Sequence, residues 1–139
     1  MIRVEQIREV READAALLRW LQLATLPGDV PIPTDEGHWW VAYQDGSPVG
    51  YAGVKRSTRW LDAMYLCRAG VLALARGQGL QKRLIRVREA KAKALGMRWL
   101  VTDTFQNPAS ANSLISCGFK MFTPPIPWAS EGACYWKKE

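Results

Sequence analysis

Histidine and cysteine are scarce in this chain: one histidine, His38, and three cysteines, Cys67, Cys117 and Cys134, among 139 residues. The cysteines are odd in number and far apart, without the close pairing that a zinc site or a redox motif needs. No cluster of carboxylates makes up the deficit, so metal catalysis is not expected and the thiols read as reduced and buried. Long apolar runs are also missing. Nothing approaches the roughly 20 residues that cross a bilayer. The opening MIRVEQIREVREAD mixes charged with apolar residues where a secretory peptide would carry an apolar stretch. These absences predict a soluble, cytoplasmic protein with no membrane partner. No repeat, low-complexity stretch or linker divides the chain, so a single domain is expected over residues 1–139.

What is present is enough to build that domain. Hydrophobic residues make up 48% of the chain, sufficient for one core without disulfides or metal. Nineteen Lys and Arg against thirteen Asp and Glu give a net charge of +6, which favours anionic partners, a phosphorylated cofactor or a nucleic acid. The pattern of elements reads as a strand at residues 2–8, a helix from Ala13 to Leu26 stopped by Pro27-Gly28, and a surface loop from Pro31 to Gly37. Two strand-like runs, WWVAY and VGYAGV, flank Asp45-Gly46, a favoured hairpin turn. A longer strand over about Asp62–Leu72 leads into a helix ended by Gly96. Arg98–Thr104 is a further strand, Asn107-Pro108 caps a short helix that Gly118 ends, and Phe119–Phe122 and Ala133–Trp136 are the last strands. Hairpins and helical crossovers together predict an α/β domain with a mixed sheet.

The sharpest local feature is Arg76-Gly77-Gln78-Gly79-Leu80-Gln81, between a strand and a basic helix. Glycines let several backbone N–H groups turn inward together, and a helix N-terminus adds partial positive charge, so the loop suits a pyrophosphate. The same glycines would equally serve a plain strand-to-helix turn. A dinucleotide fingerprint lacks its third glycine here, and a P-loop lacks its G-K-[ST], so neither pattern fits. Lys82, Arg83, Arg86, Arg88, Lys91, Lys93 and Arg98 make the region after the loop basic. We read them as a solvated helix face that also attracts phosphates, with RNA or DNA contact as the less favoured reading.

Together with NPASANSLISCGF at residues 107–119, the segment VLALARGQGLQKRLI resembles the GNAT superfamily of acyl-coenzyme A-dependent N-acyltransferases. Arg76 and Gly79 match the family's loop, roughly [QR]-x-x-G-x-[GA], and Asn107 and Gly118 have the spacing of its downstream Asn and Gly-Phe. The element order resembles the family's over nearly the whole chain. The resemblance implies a central sheet of about seven strands, splayed in the middle, with coenzyme A in the gap between the Asp62–Leu72 and Arg98–Thr104 strands. It implies that the backbone of Val71, Leu72 and Ala73 bonds the pantetheine arm, that Arg76, Gly77, Gln78, Gly79, Leu80 and Gln81 hold the pyrophosphate, and that Asn107 and Ser113 reach the arm. Asn107 would also be a satisfactory helix cap with no ligand at all. The implied activity is direct transfer of an acetyl group from acetyl-CoA to an amine.

Two residues depart from the family pattern. Gln81 replaces a Gly or Ala, so its side chain must bond the phosphates or point away. Leu114 stands where many relatives carry a tyrosine acid, which leaves that role unassigned; a thiolate is a good enough leaving group to be reprotonated by water. For the base, relatives place a glutamate at the positions of Thr102 or Cys67, and Asp103, beside the first, is the carboxylate we select. Following the family, a backbone N–H near Val71 would meet the developing oxyanion. The segments from Pro31 to Trp40, Arg56 to Trp60 and Thr123 to Glu131, with Trp39, Trp40, Trp60 and Trp128, are the expected acceptor walls. The acceptor amine itself is not specified: aminoglycoside, polyamine, peptide N-terminus and aminoacyl-tRNA stay open. A non-catalytic acyl-CoA-binding module is the alternative in another class.

Overall fold

The computed structural model describes residues 6–139, with strands β1 (Gln6–Glu9), β2 (His38–Gln44), β3 (Ser47–Arg56), β4 (Ala63–Val71), β5 (Trp99–Thr104), β6 (Lys120–Phe122) and β7 (Cys134–Lys138). Helices α1 (Ala15–Thr25), α2 (Leu80–Ala94) and α3 (Pro108–Ser116) complete it, with single 3-10 turns at Glu12–Asp14 and Ala73–Ala75. The strand expected at residues 2–8 lies partly outside the described residues, and its described part belongs to β1. All seven strands form one sheet in the order β1-β2-β3-β4-β5-β7-β6. Only β4 and β5 run parallel, because α2 carries the chain back across the sheet between them. The expected mixed α/β architecture is therefore the observed one.

Local chemistry sets these elements. Asp45 and Gly46 both have positive φ, 50° and 79°, the requirement of the tight turn that joins β2 to β3 with the right-handed twist of the strands. In α1, Leu18, Leu21 and Gln22 are buried against one face of the sheet, with Trp39, Val41 and Tyr51 beneath them. On the other face, Ile85 and Ala92 of α2 and Leu114 of α3 meet Trp40, Val54, Leu66, Leu100 and Trp136, while Leu80 and Leu84 pack with Ala42, Val49 and Ala52. Asn107 caps α3, its Oδ1 accepting the Ser110 N–H at 3.1 Å, with Pro108 as the first helical residue.

Two expectations need correction here. Trp39 and Trp40 are 2% and 6% exposed. The central strands are covered on both sides, so neighbouring side chains on opposite faces are both buried, and these rings belong to the core instead of an acceptor wall. Arg88 is 3% exposed. It lies on the inward stripe of α2 with Leu84 and Ile85, not on a solvated face, and donates to the carbonyls of Leu84 (3.0 Å) and Gly53 (3.3 Å).

One irregularity positions everything that follows. Lys55 pairs with Tyr65 and Gly53 with Arg68, so Leu66 and Cys67 together stand opposite the single residue Val54. This bulge bends β4 and strengthens its twist. Against β5, β4 pairs only at Ala63–Tyr65 with Trp99–Val101. Beyond Tyr65 the two strands part.

Candidate active site

At the bulge, Thr102 Oγ1 donates to the Leu66 carbonyl at 2.8 Å and ties the separating strands. Above it the edges of β4 and β5 enclose a cleft. Leu72 turns its N–H to Val49 at 2.8 Å. By the alternation of a strand, the N–H and C=O groups of Val71 and Ala69 then face the other way, toward the edge that β5 has left. The Val71 carbonyl on that side accepts from Arg76 Nε at 3.1 Å, folding the arginine back along the cleft.

The upper part of the cleft is a cavity of about 640 Å³ whose lining includes Val71, Arg76, Gly77, Gly79, Leu80, Gln81, Asn107 and Ser113. Eight of the expected cofactor residues thus converge on one space; Leu72, Ala73 and Gln78 belong to the same segment without lining it. Gly77 and Gly79 both have φ of +76°, and a Cβ on either would meet nothing within 4 Å. The glycines are there for left-handed backbone, which turns successive N–H groups toward one side. Gly79 is the N-cap of α2 and offers no side chain to the orphan N–H groups of the first turn. Those donors, the helix dipole and the neighbouring Arg76 and Lys82 make the upper cavity suited to an anion.

A second cavity, of about 280 Å³, continues the cleft downward and shares Ala69, Gln81, Asn107 and Ser110 with the first. Leu66, Ile85 and Leu114 give it an apolar patch beside Gln81 and Arg88 of α2, while Asp103 enters from the end of β5. Asp103 Oδ2 accepts from the Tyr65 hydroxyl at 2.7 Å and from Trp128 Nε1 at 3.0 Å. Burial first, and then the Asp103 carboxylate, push the Tyr65 pKa well above the ordinary phenol value. Tyr65 therefore stays protonated and acts as a donor. Burial likewise pushes the Cys67 thiol up, which keeps it from serving as a nucleophile. Thr102 is buried with its hydroxyl used on Leu66, so neither position where a glutamate was sought supplies a base.

Sequence reasoning missed the convergence of Tyr65 and Trp128 on Asp103. Separations of 38 and 25 residues left no local signal. Of the expected acceptor walls, Arg56–Arg59 and Trp128 do meet around Tyr65, in a third cavity of about 190 Å³ that has Tyr65 in common with the second. Residues 31–35 instead line separate hollows beside α1. Leu26 and Asp29 line the cleft on that side.

Comparison with known proteins bears on this geometry. A family model described as Acetyltransferase (GNAT) family matches residues 6–119. Among solved structures, an IAA acetyltransferase of Bacillus cereus is 21% identical, with 95% of this chain and 98% of that one aligned at a TM-score of 0.76. The structure of yncA from Salmonella typhimurium, solved with its cofactor acetyl-CoA, is 20% identical over 96% and 92% at a TM-score of 0.74. The ribosomal-protein-S18-alanine N-acetyltransferase of Escherichia coli is 16% identical over 95% and 91% at 0.73. No curated protein matches the chain in sequence.

Proposed function

Since the chain belongs to the GNAT acetyltransferase family and is a transferase, we propose that it takes the acetyl group of acetyl-CoA and passes it directly to an amine held in the same cleft. The observation that carries this reading is the convergence of the glycine loop, the N-terminus of α2, the outward-facing backbone of Val71 and the Asn107 cap on one cavity. The residues fit the cofactor. The loop from Arg76 to Gln81 would hold its pyrophosphate through backbone N–H groups, with open space where side chains would intrude. The strand end at Val71–Ala73 would bond the pantetheine arm, and Asn107 and Ser113 would flank it. Bound there, the thioester supplies an activated acetyl group.

The protein's own residues handle position and protons. The Val71 N–H, on the cleft edge of β4, is placed to meet negative charge on an acyl oxygen; one such donor is typically worth about 3 kcal/mol. Asp103 takes the proton that an ammonium must lose before it attacks. Among the described residues both donors to it, Tyr65 and Trp128, land on Oδ2, so Oδ1 is the atom left to accept. Leu114 is buried in the apolar part of the cleft, so no acid is offered from that position and the leaving thiolate draws its proton from water.

Calorimetric titration with acetyl-CoA, followed by a coenzyme A release assay, tests the reading in two arms. Gly79→Val forces a β-branched residue into left-handed backbone and should weaken binding at least about tenfold while the fold is kept. Unchanged affinity would remove the loop's role. Asp103→Asn should leave that affinity intact and lower turnover by about 10²–10⁴-fold, the range of one lost acid–base group. Turnover at the parent level would end the assignment of Asp103.

A further inference from the structure

The charge lining the third cavity has one sign. Beyond Tyr65 and Trp128, the third cavity is lined by Lys55, Arg56 and Arg59 and by no carboxylate. Arg68 lines the neighbouring second cavity, where its guanidinium donates to Gln22 Oε1 at 3.1 Å and to the Val30 carbonyl at 2.8 Å. Among the described residues, none of these four cations forms an ion pair, whereas Arg86, Lys91, Arg98 and Lys138 each have a glutamate partner. Arg56 and Arg59 are exposed. The turn that presents them is fixed locally, with Ser57 Oγ accepting the N–H groups of Arg59 and Trp60 at 3.1 Å each.

From this arrangement we infer that the acceptor is a small amine that also carries an anionic group, a carboxylate or a phosphoryl group, which Arg56 and Arg59 bind with Lys55. The inference rests on the transferase reading above. Tyr65 lines both cavities, and Trp128, which lines the third, bonds Asp103 of the second. An amine at Asp103 therefore places its far end against the basic wall. A carboxylate or phosphoryl group there gains charge-assisted, bidentate bonds from arginine. The second ammonium of a polyamine or an aminoglycoside would instead face three like charges. Trp39, Trp40 and Trp60 offer no open face to such a cation. Trp39 and Trp40 are buried in the core. Trp60 is stacked on Trp99 at 4.9 Å, packed by Phe122 at 5.5 Å, and already faced by the Lys137 ammonium at 5.8 Å. The Trp60 stack carries its own cation, and the charged side chains that line the third cavity are all basic.

Coenzyme A release from acetyl-CoA is measured with a panel of L-amino acids, aminoethylphosphonate, ethanolamine, spermidine and tobramycin. The expected ranking places the amino acids or the aminophosphonate far above ethanolamine and the polycations, and the two anionic arms tell carboxylate from phosphoryl recognition. The double variant R56A/R59A should raise KM for the preferred anionic amine by about tenfold or more, with kcat and acetyl-CoA affinity nearly unchanged. R56E/R59E should shift the ranking toward spermidine. Preference of the parent protein for spermidine or tobramycin, or an unaltered KM in R56A/R59A, overturns the inference while leaving the transferase reading in place. If no probe is turned over, calorimetry of the same probes on the acetyl-CoA-loaded protein decides. Binding of an anionic amine that R56A/R59A abolishes supports the inference, and absence of binding overturns it. Failure of the parent protein to bind acetyl-CoA overturns the transferase reading itself, and with it the inference.

Discussion

Arg88 stands on the inward stripe of α2, one turn beyond Leu84 and beside the bulge, where an apolar side chain would be the ordinary choice. Its neighbours explain how it is tolerated. The Gly53 carbonyl next to the register shift accepts from Nη1, the Leu84 carbonyl accepts from Nε, and no carboxylate pairs with it among the described residues. Two carbonyls offset only part of the desolvation penalty, which for a buried ion is several kcal/mol. Burial accordingly lowers the guanidinium pKa from its ordinary value to about 10. The consequence for stability has a definite sign. Above about pH 10 the unfolded chain still holds a proton that the folded one has released, so this group makes stability rise with pH there. Arg88→Met removes the group at similar volume. Chemical denaturation of both proteins from pH 8 upward should show the parent gaining stability relative to Arg88→Met as pH passes about 10; a constant difference would mean that the burial cost is already offset. The periodicity of Leu80 and Leu84 already points position 88 inward. Its residue type argued for the surface, and the geometry prevails.

Elements were legible wherever a local rule fixes them. Asp45-Gly46 requires the hairpin turn, Asn107-Pro108 the start of α3, and the left-handed Gly96 and Gly118 follow the ends of α2 and α3. The gathering of Val71, Arg76, Gly79 and Asn107 was legible too, through spacing that resembles a known family. The bulge at Leu66–Cys67 was not. Register is a property of a strand pair, and nothing in β4 alone says that two of its residues will share one partner. The surroundings of Asp103 failed for the same reason, since three chain segments meet there across the sheet. The basic run after the loop was read as one face of α2, but the helix divides it. Arg88 points inward, Arg86 pairs with Glu89, and Lys91 pairs with Glu9 of β1. The seven cations therefore do not form one continuous solvated stripe.

At the scale of the molecule, the sheet is two pieces with a narrow join. β1–β4 carry α1, β5–β7 carry α3, and the ladder between them is the short parallel pairing of Ala63–Tyr65 with Trp99–Val101. Helix α2 spans both sides of that join, packing on β3, β4, β5 and α3. A ligand lying in the cleft touches both pieces and replaces the missing ladder beyond Tyr65, so its effect should be global. At a hundredfold excess over Kd, linkage gives about 2.7 kcal/mol, which for a chain of this size corresponds to a rise in Tm of roughly 5–12 °C. Hydrogen exchange separates this account from binding at the loop alone. With acetyl-CoA bound, protection should increase at the amides of Ala69 and Val71, which face the cleft, and at Thr104 and Asn107 across from them, as well as at Gly77–Gln81. The Leu72 amide, just past the end of β4 and already bonded to Val49, should change least in that stretch. Protection confined to Gly77–Gln81, with a Tm shift of a degree or less, would show that the ligand grips the phosphate loop without joining the two halves.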